Sequence, residues 1–450
     1  MTFQYILLGL FCAAAVLTPL LIKKERALEA GVVATVLLAI GVHSEFTEIS
    51  RAIVLACTSL ALLIGIIRFP RPVYAKSPFA VYAFGAVFAV LSIVHAASVP
   101  AMIIYLLLGT TICLLAAAAS RLGQQRNRVL AVIAASVIVS QFVVSVADVF
   151  FKVSNPWPRR DGVTFRQVGL NNLLTDLGGR AMGTTGFSIT LGLVIALCIV
   201  ACFYLAGTYR KYWFVWSALA AIGVATIFLS GTRTALVMLL AAGGVWALRS
   251  FKLSHSAFYI LLGGIAVGLF ESLRIAVLEW TGLGGQLEQT ASYQHRTGVF
   301  ASAVNLLDRD VSSLFFGDGP GYVAEALSSG VVTGYGRISV FDNDYLRILA
   351  SYGLVLLIAF VVMLARGIFN RDIYVSMSAT AIAVGAFAYD ITTWFSLLVF
   401  MVFVLASAQP RESKPAEVDE DEQEVSEPVE ARPTSLQGKY ARQLPVQARL

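Results

Sequence analysis

Apolar runs near the length that crosses a bilayer recur through most of this chain. They fall at about 3–22, 28–43, 52–67, 78–97, 102–120, 129–150, 184–205, 213–229, 234–248, 257–273, 345–365, 373–389 and 391–407. Peptide groups inside the hydrocarbon core find no water to bond, so such runs are helical. The chain therefore reads as an all-α polytopic membrane protein of about 12–13 transmembrane helices; the last two runs could form one helix broken near Asp390. Composition agrees: 58% of residues are hydrophobic and 13% charged, against about 25% charged in soluble domains. All five cysteines (12, 57, 113, 198, 202) lie inside apolar runs. That excludes a disulfide-stapled loop and a finger-type metal site. Phe3 to Ile22 has no basic stretch before it and reads as a mature span, not a cleaved signal.

Lys and Arg in the short connections give the orientation. KKER (23–26), RFPRPVYAK (68–76), RLGQQRNR (121–128), YRK (209–211), RSFK (249–252) and RGIFNR (366–371) are basic and fall on every second connection. The connections between them carry little positive charge. This predicts an external N-terminus, a cytoplasmic C-terminus, and external segments at 151–182 and 274–344. The net charge of +6 is thus mostly a topology signal and gives no reason to expect nucleic acid.

The chain divides accordingly. Residues 1–150 are N-terminal transmembrane helices, and 151–182 a basic periplasmic loop. Residues 183–273 are transmembrane helices enclosing an SGTR turn. A periplasmic cap follows at 274–344, then C-terminal transmembrane helices at 345–408 and a disordered, acidic cytoplasmic tail at 409–450. The cap lies between the spans at 257–273 and 345–365. It is far longer than a connector needs and too rich in large apolar side chains for disorder, so it reads as a small helical cap. The loop at 151–182 places Lys152, Arg159, Arg160, Arg166 and Arg180 on the external side. Two readings stand: translocation that tolerates charge, or a basic site for an anion.

Few ionisable groups lie deep in the spans; Asp148, His95 and Asp390 are near the external edge. Ion-coupled transporters usually carry such groups near the midplane, so the external face is the better place for chemistry. Arg180, in GGRAMGTTG, either snorkels at a helix end or meets a ligand among small residues. Arg233 follows the tight Ser230-Gly231-Thr232 turn at a helix N-terminus, which suits an anion as well as an interfacial anchor. Arg296 and Arg337 lie in the cap and can pair with its acids. The glycines of FFGDGPGYV (315–323) lack the strand and helix context of a nucleotide loop. Asp342-Asn343-Asp344-Tyr345 opens a span. There Asp342 or Asn343 suits a helix cap and Asp344 a pair with Arg347, while the same polar groups suit general-base chemistry or metal binding, two carboxylates alone being a weak metal signal.

In order, these motifs resemble the O-antigen ligase/polymerase family, the Wzy-type membrane glycosyltransferases. The resemblance covers about 180–360. It rests on Arg180 and Gly183 entering a span, on Ser230 to Arg233, on Arg296 with Phe300, on the Gly317 to Gly321 turn, and on Asp342 to Leu346 followed by Ser351 to Leu354. Two positions depart from the family pattern: Asp342 stands where a His is usual, and Ser351 where a Glu is usual. Ligases typically keep that His, which favours a polymerase.

The resemblance implies a polymerase that joins polyprenyl-pyrophosphate-linked oligosaccharide repeat units at the periplasmic face of the bacterial inner membrane, in exopolysaccharide or O-antigen biosynthesis. A ligase transferring glycan to lipid A-core, or a lipid or polysaccharide transporter, are the alternatives. It implies an undecaprenyl-pyrophosphate-linked glycan and membrane lipid as partners, with chain-length and export proteins as further candidates, and no cofactor or metal. Asp342, Asn343 and Arg233 become the catalytic candidates. Arg180, Arg296, Arg337, Tyr345, Arg159 and Arg160 become substrate-binding candidates.

Overall fold

The computed structural model describes residues 2–42, 47–69, 78–153, 157, 171, 173–174, 176–177, 179–250, 291–333 and 341–407. Arg159, Arg160, Arg337, the expected span at 257–273 and the acidic tail lie outside these residues, as does the side chain of Arg296. Among the described residues there is no strand. The protein is an all-α polytopic membrane protein.

Helices stand at every other expected span: α1 (Thr2–Leu21), α2 (Ala27–Gly41), α3 (Glu48–Arg68), α4 (Phe79–Val94), α5 (Val99–Ser120), α6 (Arg126–Phe151), α7 (Ser188–Thr208), α8 (Trp213–Ser230) and α9 (Arg233–Ser250). The cap region holds α10 (Ala291–Ala301), α11 (Ala303–Leu307), α12 (Val311–Phe316) and α13 (Tyr322–Ser328). Then come α14 (Asp344–Ile368), α15 (Ile373–Ala386) and α16 (Phe395–Ala406). The last two runs are separate helices, joined through the short turn Ile391–Thr393. Seven helices among the described residues are long and apolar enough to cross a membrane alone.

Side-chain caps set several helix starts. Thr47 accepts from the Ser50 amide (3.1 Å), Ser98 from Ala101 (3.3 Å), Asn343 from Leu346 (3.0 Å) and Asp372 from Tyr374 (3.0 Å). Each satisfies an amide that the first helical turn leaves without a partner. Helix α7 is apolar on all sides, as a helix buried on all sides must be. It packs among α6, α8, α9 and α15, and every residue from Thr190 to Cys202 is buried. Helix α16 is buried throughout as well. Helices α1 and α8 instead expose Phe3, Leu10, Leu21, Trp213 and Phe214 outward, as lipid-facing helices do.

Among the described residues, basic connections meet one another at one end of the bundle. Arg249 donates to the carbonyls of Asn370 (2.6 Å) and Arg371 (3.1 Å), and Arg68 to that of Pro19 (2.6 Å). Arg126, the first residue of α6, is 1% exposed and pairs with Asp372. Its guanidinium also donates to Tyr204 Oη (2.8 Å) and the Ser407 carbonyl (3.1 Å), and lies over the rings of Tyr204 and Tyr374. A buried cation this well partnered closes that end of the bundle, joining α6, α7, α15 and the end of α16.

The cap sits at the other end, on α14. Its small core joins Val299, Leu306, Ala326 and Val332 to Phe341, Leu349 and Ala350. The sequence reads 345–365 as unbroken, yet α14 is kinked at Gly353, whose φ of 69° and ψ of −171° leave the helical region. The kink frees carbonyls that a continuous helix would bond, and the cap takes them. Arg309 donates to Leu349 O (2.8 Å) and Ala350 O (3.0 Å), and the amides of Asp318 and Gly319 reach Ala350 O (3.3 Å) and Ser351 O (2.9 Å). Arg309 is held in turn by Asp318 (2.6 Å) and by the face of Tyr322. The glycines at 317–321 thus build a clip into a broken helix.

Candidate functional site

A strap formed by residues 179–187 crosses the cap end of the bundle before α7. Three helices hold it. Its Ala181 amide bonds Leu229 O at the end of α8 (2.9 Å), and its Met182 amide bonds Asp148 of α6 (3.1 Å). Gln141 of α6 accepts from the Thr184 amide (3.0 Å) and donates to the Thr184 hydroxyl (2.7 Å), which donates to Ile40 O of α2 (2.8 Å). Asn171, fully buried, also donates to Phe228 O (2.9 Å) and Leu229 O (3.0 Å). With its backbone fixed in this way, the strap delivers Arg180 to the SGTR turn.

There Arg180 Nε donates to Ser230 O (2.8 Å) and its terminal nitrogen to Thr232 Oγ1 (3.4 Å). The turn is itself rigid: Gly231 takes the left-handed conformation that ends α8, and the Ser230 hydroxyl bonds that of Thr232 (2.9 Å). Thr232 reaches Ser188 O at the start of α7 (2.9 Å). Arg233, exposed, is the first residue of α9. Burial pulls the guanidinium of Arg180 below its usual value; Tyr389 opposes that shift, and the positive charge of Arg233 adds to it. Two guanidinium groups are thus brought together at a helix N-terminus, where backbone N–H groups add positive potential. Among the described residues no carboxylate forms an ion pair with Arg180. An anion would relieve the repulsion between the two cations.

The second constellation opens α14. Asp342 is half-buried with φ of 49°, a left-handed backbone that only Asp and Asn among non-glycine residues adopt readily. Asn343 is buried, caps α14, and donates to Phe387 O (3.4 Å). Asp344, fully buried, accepts from Arg347 Nε (3.0 Å), the Thr392 hydroxyl (2.7 Å) and the Thr392 amide (2.9 Å). Arg347 reaches the Thr392 hydroxyl as well and lies over the Tyr352 ring. Asp390, in the connection between α15 and α16, has its carboxyl pushed up to about 7. Burial is the main cause; Arg347 opposes it, and the nearby Asp344 and Asp342 reinforce it. Asp344 and Asp390 therefore share Arg347, with Asp342 close by. Tyr345 turns into the bundle, donating to Ala383 O (3.0 Å) and packing on Phe387 with centroids 4.5 Å apart.

The connection 387–394 touches both constellations. Tyr389 lies within electrostatic range of Arg180 and bonds Thr190 (2.8 Å), while stacking with Phe187 and Trp394. The next residue is Asp390, and Thr392 binds Asp344. Of the residues singled out from sequence, the structure brings Arg180 to Arg233, and sets Asp342, Asn343 and Tyr345 side by side at α14. Arg296 stands on α10, and Arg159, Arg160 and Arg337 lie outside the described residues. Sequence reasoning named Arg347 only as a partner for Asp344 and Asp390 only as a charge at the external edge, and did not select Thr392 or Tyr389. A carboxylate within an apolar stretch, as at Asp390, was the available signal. Among the described residues no cluster of three or more His, Cys, Asp or Glu could hold a metal ion. No protein-family model, curated protein or solved structure matches this chain, so the functional reading rests on the residues themselves.

Proposed function

We propose that the protein is a polysaccharide polymerase of the inner membrane of a bacterium, joining polyprenyl-pyrophosphate-linked oligosaccharide repeat units at the periplasmic face. The observation that carries this reading is the pairing of Arg180 with Arg233 on the SGTR turn, at the end of the bundle that also bears the cap. A glycan leaving a lipid carrier leaves a pyrophosphate behind. The Arg180 guanidinium held on the turn, the neighbouring Arg233 and a helix N-terminus would bind that anion and stabilise its charge as it develops.

In the reaction an acceptor hydroxyl oxygen attacks the anomeric carbon of the donor glycan. The new glycosidic bond forms as the bond from that carbon to the phosphate oxygen breaks, and the lipid pyrophosphate departs with the electron pair. The hydroxyl proton passes to Asp342, half-buried at the mouth of α14. Arg347 and the Asp344–Thr392 bonds fix the start of that helix. Asn343 caps it, and Tyr345 anchors its first turn against α15. Supplying polyprenyl-pyrophosphate repeat units to the purified protein in lipid nanodiscs tests the reading directly. Longer glycans and free lipid pyrophosphate are the expected products.

A further inference from the structure

Helices α11 and α12 bury only part of their apolar side chains. One side faces inward: Leu306 is fully buried, and Leu314 packs with it against α14. The rest of their surface should be polar if it met water. Instead it carries the exposed Val304, Leu307, Val311, Phe315 and Phe316, with Val304 70% and Val311 73% exposed. Polar side chains (Asn305, Asp308, Asp310, Ser312) fall between these positions. Five exposed large apolar side chains within thirteen residues of a cap mark a contact surface.

Its place in the fold identifies the occupant. Phe315 and Phe316 lie directly against Gly353, where α14 enters the bundle, and Gly319 lies against His95 at the end of α4. A few residues along these two helices stand the exposed aliphatics Ile358, Val361 and Val362 of α14 and Val90 and Val94 of α4. In a multi-pass protein such exposed rows face acyl chains. The cap borders this surface through the Phe315–Phe316 backbone and Gly319.

We infer that α11 and α12 form an interfacial element, seated with Val304, Leu307, Val311 and Phe315 in the boundary between headgroups and acyl chains of the leaflet beneath the cap. A surface helix of this kind enters the membrane by about 5–10 Å. The cap would then ride on lipid, not stand clear of it.

Nitroxide labels at Val311→Cys and Phe315→Cys, in a cysteine-free background in nanodiscs, test this against a label at the exposed Glu325→Cys on α13. The expected result is an oxygen-to-nickel-chelate accessibility ratio several-fold higher at 311 and 315 than at 325. Equal ratios at all three positions would place this face in water and overturn the inference. Low accessibility to both reagents at 311 and 315 would indicate a protein partner, and would overturn it equally. If the cysteine-free chain does not accumulate, a benzophenone side chain at position 315 in the native chain serves instead. Crosslinks to phospholipid support lipid seating; protein crosslinks, or none, contradict it.

Discussion

Gly317 and Gly353 face one backbone crossing from its two sides, Gly317 against Ser351 and Tyr352 and Gly353 against Phe315 and Phe316, both in a conformation open only to glycine. Gly317 has φ 75° and ψ −177°, and Gly353 has φ 69° and ψ −171°. A Cβ on Gly317 would come within 2.3 Å of the Ser351 carbonyl carbon, and one on Gly353 within 2.3 Å of Phe315. Neither clash can be relieved by turning a side chain. Gly353→Ala should therefore strain the backbone by roughly 1–3 kcal/mol and loosen the clip between cap and α14. Limited proteolysis within 300–333 should speed up in this variant while the transmembrane helices stay intact. An unchanged cleavage rate would mean that the kink tolerates a side chain.

Arg233→Lys should lose nearly as much polymer as Arg233→Ala. A planar guanidinium grips a phosphate through two parallel bonds, and an ammonium does not replace that grip. An arginine serving only as an interfacial anchor would be replaced by lysine with little loss. Polymer made by membranes with matched protein levels separates the two; full activity of the lysine variant would make Arg233 an anchor.

Asp390 links stability to pH. Its folded-state pKa of about 7 lies above the ordinary aspartate value. The folded chain therefore keeps a proton that the unfolded chain has released, and stability falls as pH rises from about 4 to about 7, then levels off. Asp390→Asn has no such proton to lose. The melting temperature of the wild type should drop from pH 5 to pH 7.5 by more than that of the Asn variant. Parallel profiles would show that Asp390 does not hold the proton.

The arrangement of basic connections predicts which side of the membrane carries the cap. Alkaline phosphatase fused after Ser328 should be active, and a fusion after Pro415 inactive. The reverse pattern would put the Arg180–Arg233 pair on the cytoplasmic side, away from the proposed donor.

Much of this architecture is legible in the sequence because it is local. The apolar runs, the alternation of basic connections and the Asn343 cap depend on neighbours within one helix or turn. The three-residue spacing of Asp344 and Arg347 is local too. The kink at Gly353 is not, since a glycine within an apolar run is compatible with a straight helix. It becomes a break only when the 317–319 segment, more than 30 residues away, supplies amides for the freed carbonyls. The bond from Thr392 to Asp344 spans 48 residues, and no local pattern announces it. Arg180 and Arg233 stand out individually as candidates, but their meeting depends on the strap being held by α2, α6 and α8 together.

The most direct measurement is conversion of polyprenyl-pyrophosphate repeat units by the purified protein in nanodiscs, with wild type and Asp342→Asn compared side by side. Wild type should yield longer glycans and free lipid pyrophosphate. The Asn variant, which keeps size and much of the hydrogen bonding but cannot take a proton, should bind the donor and turn over about 10²–10⁴-fold more slowly. Wild-type rates from the Asn variant would remove Asp342 from the chemistry. Wild-type protein that binds the donor yet leaves only single units would contradict the polymerase itself.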